Sequence, residues 1–74
     1  MWENISVEDM GARIKEQREI KGISQKDLAE AIGVKQHTIS QYENNIKRPS
    51  YEVLLLLVKF FDVTAGQLLG SEEL

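Results

Sequence analysis

Apolar residues recur along the chain at three- and four-residue spacings, and glycines and short polar clusters break them into segments. No stretch alternates β-branched residues with period two, so strands are not expected. The pattern predicts five helices, at 7–21, 25–32, 36–44, 51–61 and 65–69. Their starts are marked by a Ser or Thr followed three residues later by an acid or amide, a pairing that satisfies two orphan backbone donors reciprocally. Ser6 with Asp9, Ser24 with Asp27 and Thr64 with Gln67 have this spacing. Each lies inside an apolar pair placed to clamp the entering chain: Ile5 with Met10, Ile23 with Leu28, Val63 with Leu68. Ser50, directly after Pro49, is a fourth cap, with Glu52 near the positive end of the helix dipole. Gly22, Gly33 and Gly70 stand where a left-handed residue ends a helix.

Size narrows what these helices can build. A 74-residue chain is one domain, here 1–74, with 1–9 an N-terminal arm leading into the first helix and 71–74 a tail. A domain of this size buries only about 60% of its unfolded surface, so the core must be economical. With no cysteine and one histidine, neither a disulfide nor a zinc site has its usual ligands. No metal and no cofactor are expected. The longest apolar run, Val53 to Val58, falls far short of the roughly 18 residues that span a bilayer. Met1 to Met10 holds three acids and no base, unlike a secretion signal. The expected setting is cytoplasmic, without a membrane.

The net charge of −3 taken as a whole argues against nucleic acid. Its distribution points the other way. Residues 13–50 carry eight cations against five acids, whereas 1–12 and 51–74 are each acidic by three charges. Inside the basic region lies Gln25 to Asn44, where two predicted helices are joined by a short turn. Helices cross steeply over such a turn when a small residue sits at the crossing and a glycine absorbs the bend, and Ala29 and Gly33 supply both. Leu28, Ile32, Val34, Ile39 and Tyr42 are the apolar contacts that would fix the second helix. Lys35, Gln36, His37, Ser40, Gln41 and Asn44 are left to point outward.

These residues resemble the Cro and lambda-type repressor family of helix-turn-helix proteins, also called XRE-like. The resemblance runs from about Met10 to Leu69. It rests on R-x-x-x-G-I-S-Q at Arg18 to Gln25, L-A-x-x-I-G-V at Leu28 to Val34 and I-S-x-Y-E-N at Ile39 to Asn44. R-P-S at Arg48 to Ser50 and V-x-x-x-x-L-L at Val63 to Leu69 complete it. It implies an all-α, five-helix lambda-repressor-like domain with the motif at helices 2 and 3, binding a double-stranded DNA operator as a homodimer, and acting as a repressor.

The resemblance also implies roles for single residues. Helix 3 would read base edges in the major groove through Lys35, Gln36, His37, Ser40 and Gln41, a carboxamide being suited to adenine. Gln25, Thr38, Asn44, Lys47 and Arg48 would hold phosphates. Arg18 and Glu43 would form a structural ion pair between helix 1 and the end of helix 3. Two positions depart from the usual pattern: Lys35 stands where a Ser or Thr cap is frequent, and Asn45 where Gly is frequent. Lys35 cannot cap helix 3, and Asn is the next-best residue for a left-handed turn.

Helix 4 carries more apolar surface than one core face requires. Leu54, Leu57, Val58 and Phe61 have core spacing, and Val53, Leu56 and Phe60 form a second stripe. The stripe reads as a dimer surface, as part of a deeply buried helix, or as a seat for Trp2 and Ile5 of the arm. A protein-interaction or antitoxin-type module is the alternative function. An enzyme is not expected, because no nucleophile and base stand in a catalytic pattern.

Overall fold

Side-chain caps set where the helices begin. Ser24 Oγ accepts the Asp27 N–H at 3.0 Å, and the Asp27 carboxylate accepts the Ser24 N–H at 3.2 Å. Thr64 and Gln67 exchange the same two bonds at 3.0 and 2.9 Å. Ser50 Oγ accepts the Val53 N–H at 3.2 Å. Each such cap is worth about 1 kcal/mol, enough to place a helix start in a small domain.

The computed structural model describes residues 7–69, with side chains from Met10 onward. Its elements are α1 (Val7–Ile20), α2 (Gln25–Ile32), α3 (Gln36–Glu43), α4 (Tyr51–Phe61) and α5 (Ala65–Leu69). The architecture is the five-helix one the pattern predicts; α1 and α3 stop one residue earlier than expected. The proposed Ser6–Asp9 cap, the Ile5–Met10 and Trp2 packing, and the Gly70 stop lie outside the described residues. No described helix is long and apolar enough to cross a membrane.

Every described helix contributes one fully buried anchor: Ile14, Leu28, Ile39, Leu57 and Leu68. Burying each is worth roughly 1.5–3 kcal/mol. Met10, Ala29, Ile32, Tyr42 and Phe61 complete the core. α3 packs against α1 and α2, α4 against α2 and α5, and α5 returns to α1. Gly22 and Gly33 take positive φ, 70° and 78°, at the ends of α1 and α2. α4 ends without glycine, on Asp62 at φ 57°.

The second stripe of α4 is not a separate surface. Val53 and Phe60 pack half-buried against the core. The Phe60 ring lies 5.5 Å from that of Phe61, with Lys21 Nζ 4.9 Å above it. Only Leu56 stays exposed, at 45%, next to Leu55 at 37%. The reason is that α4 is flanked by α2 and α5 at once, so its buried arc is wider than a single helical stripe.

Candidate nucleic-acid interface

The turn between α2 and α3 closes on one carbonyl. Ala29 O accepts the Gly33 N–H at 2.9 Å and the Val34 N–H at 3.0 Å, while the Ala29 methyl is buried at the crossing. Ile39 and Tyr42 then anchor α3 to the core. Burial raises the Tyr42 phenol pKa above its ordinary 10.0, because the phenolate would lose its hydration. The Lys35 side chain makes no capping bond; its carbonyl alone receives the Thr38 and Ile39 N–H groups, at 3.0 and 3.2 Å. Lys35, Gln36 and His37 are exposed, and Thr38, Ser40 and Gln41 are half-buried on the same helix. The first turn of α3 holds no acid. Its N-terminal end thus offers backbone donors and polar side chains without a competing negative charge.

The far end of α3 is held by charge. Arg18 Nε donates to Glu43 Oε2 at 2.6 Å and Arg18 Nη2 to Glu43 Oε1 at 3.2 Å. Arg18 Nη1 donates to the Ile23 carbonyl at 2.9 Å. The two side chains are 12% and 3% exposed. The bond to Glu43 raises the Arg18 pKa above its ordinary value, against the opposing effect of desolvation, so the guanidinium keeps its charge. Gln25 Nε2 also donates to Glu43 Oε1, at 3.0 Å. A carboxylate only accepts, so the Gln25 amide is oriented with its nitrogen inward. One of its two N–H groups is engaged; the other remains at the start of α2, where the helix dipole favours an anion. The ion pair therefore also sets the direction of a candidate phosphate donor, a link that residue spacing does not reveal.

Beyond α3, the Gln41 carbonyl accepts the Ile46 and Lys47 N–H groups at 2.9 and 3.3 Å. The residue whose side chain is a candidate base reader thus ties down the loop that carries the candidate phosphate grip. Lys47 and Arg48 project from this loop, both exposed. Asn44 behaves differently from its neighbours. Its Nδ2 turns back to the Ser40 carbonyl at 2.9 Å and to Ser40 Oγ at 3.4 Å, covering the end of α3.

Two further residues shape this loop. Asn45 takes φ 58°, and its Oδ1 accepts the Gly11 N–H from α1 at 3.2 Å. Gly11 sits so close to the end of α3 that a Cβ there would meet the Glu43 carbonyl at 2.6 Å and the Tyr42 carbonyl at 2.7 Å. The only hint in sequence is a glycine inside a predicted helix, a residue that costs about 1 kcal/mol there and implies a packing reason. Among the described residues, no three His, Asp or Glu side chains gather where they could hold a metal ion.

Two helices crossing over a glycine turn, the second presenting an uncapped, acid-free polar face flanked by two cations, define a helix-turn-helix domain. The chain belongs to the Cro/C1-type, XRE-like helix-turn-helix family, with residues 14–68 matching the family HTH_3, "Helix-turn-helix". It is similar to the HTH-type transcriptional regulator ImmR of Bacillus subtilis, 34% identical over 64 residues that cover 86% of this chain and 50% of ImmR. It therefore spans about half the length of that relative. Among solved structures it resembles the P22 c2 repressor protein in complex with a synthetic operator, with TM-score 0.81, 35% identity, and 85% and 96% of the two chains covered. It also resembles the N-terminal DNA-binding domain of SinR from Bacillus subtilis, with TM-score 0.79, 34% identity, and 90% and 99% covered.

Proposed function

We propose that this chain binds double-stranded DNA in a sequence-specific way, laying α3 in the major groove, and that it does so as a homodimer that represses transcription. The observation that carries the reading is the α3 face itself. Lys35 at the N-cap and Gln36, His37, Ser40 and Gln41 on the helix share an element whose far end is fixed by the buried Arg18–Glu43 pair. Gln25 and Thr38 on one side, and Lys47 and Arg48 on the other, take the phosphates, joined by Asn44 when its amide leaves Ser40. Gln36 and Gln41 suit adenine, which offers an acceptor and a donor side by side, and Lys35 suits guanine. The likeness to a repressor held on its operator supports both the groove geometry and the repressor role.

A two-fold dimer presents two such helices one turn of DNA apart. Its surface centres on Leu56, the exposed member of the Val53, Leu56 and Phe60 set, together with Leu55 and with Tyr51 one turn earlier. Selection of bound duplexes from a random pool, followed by a salt titration of the winner, tests the reading. A symmetric site is expected, with affinity falling steeply as salt rises. Retention of no duplex at low salt would instead support a protein-interaction module.

A further inference from the structure

The loop that leaves α3 is held by two kinds of tie. One is backbone: the Tyr42 carbonyl receives the Asn45 N–H at 3.1 Å, and the Gln41 carbonyl receives the Ile46 and Lys47 N–H groups. The other is Asn45, whose Oδ1 receives the Gly11 N–H across a sequence separation of 34. The second tie is made by a side chain, and a glycine at this turn would have no atom with which to make it. Asn45 is exposed and stands in the left-handed region at φ 58°, where a glycine backbone is at ease. A residue serving the turn alone gains nothing from the amide. The amide is nevertheless aimed at the one place on α1 where the absence of a side chain lets it in, since a Cβ on Gly11 would fall 2.7 Å from Asn45 Oδ1. Two and three residues further on stand Lys47 and Arg48, exposed, with long side chains whose reach depends on where the loop sits.

We propose that Asn45 is a positioning residue for DNA: its bond to the Gly11 N–H holds the 44–48 loop to α1 so that Lys47 and Arg48 meet phosphates on the strand beside α3. This rests on the DNA-binding reading above. Without the bond, the loop keeps its backbone ties to Tyr42 and Gln41 but swings about them, and the two cations grip fewer phosphates. Because phosphates carry no sequence information, the weakening is shared by all sequences.

Asn45→Gly deletes the amide while keeping a backbone that accepts φ 58°. The probe is a mixed-sequence duplex of about 20 base pairs, two helical turns. In the free protein, ¹⁵N relaxation of Ile46, Lys47 and Arg48 is expected to show greater motion in the variant, and the Gly11 amide proton is expected to exchange faster. Thermal unfolding is expected to stay close to wild type. On DNA, the slope of log affinity against log salt is expected to shrink by about 0.9 for each phosphate the loop no longer grips. Replacing Lys47 and Arg48 together by Ala is expected to cost less in the Asn45→Gly background than in wild type. An unchanged salt slope with full additivity would overturn the proposal while leaving DNA binding by the wild type intact. A wild type that retains no duplex would instead remove the reading on which it rests.

Discussion

Replacing Arg18 by Ala removes three donated bonds at once, two to Glu43 and one to the Ile23 carbonyl. What remains is a carboxylate whose side chain is 3% exposed and which keeps, among the described residues, a single donor, Gln25. Stripping one partner from a buried pair costs about 3–5 kcal/mol. The Gln25 bond and the 12% exposure of Arg18, which shows how near water lies, place this case at the lower end, about 3 kcal/mol. For a domain of this size each kcal/mol moves the melting point by about 4–8 °C, so a fall of roughly 12–24 °C is expected. Circular dichroism at 222 nm through a thermal ramp, with urea unfolding at 25 °C, measures both quantities. The double variant Arg18→Met with Glu43→Leu removes the charges together and is expected to recover most of the stability. If Arg18→Ala melts within about 3 °C of wild type, the pair does not hold α3 to α1 and the cost assigned to its removal is wrong.

Gly11→Ala is expected to destabilise the fold by about 1–3 kcal/mol, since the new methyl meets two α3 carbonyls; urea unfolding checks it. Tyr42 gives a pH signature. Its folded pKa lies above the unfolded value of 10.0, so its contribution is complete below pH 10 and lost as pH rises from there through the folded pKa. Unfolding free energies of Tyr42→Phe and wild type should run parallel below pH 10 and then converge or cross, the variant losing less. Leu56→Asp is expected to shift sedimentation toward monomer while leaving the melting point of the isolated domain nearly unchanged, because this side chain is 45% exposed.

What was legible in the sequence follows the range of the interaction involved. Caps and left-handed glycines act within four residues, so Ser24 with Asp27, Thr64 with Gln67, Gly22 and Gly33 could be read directly and the helix starts with them. Asp62 ends α4 in the left-handed region without the glycine that usually marks it, so that stop had no local sign. The α4 stripe was legible as apolar but not as split, because burial of Val53 and Phe60 depends on where α2 and α5 lie. The approach of Gly11 to the end of α3 and the Asn45 bond join residues 31 to 34 apart, and periodicity says nothing about such an approach. In the site, the outward set on α3 follows from helical spacing. That Gln25 shares Glu43 with Arg18, and that Asn44 turns back onto Ser40, depend on side-chain direction and appear only in three dimensions.

The central claim is that α3 reads bases while the loop after it grips the backbone. It is tested most directly by measuring base preference, position by position, for wild type, Gln41→Ala and Arg48→Ala on the duplex recovered by selection. Gln41→Ala is expected to lose about 1–3 kcal/mol of discrimination at one base position, and Arg48→Ala to weaken every sequence alike. Retention of every base preference by Gln41→Ala, together with altered preference in Arg48→Ala, would contradict the account.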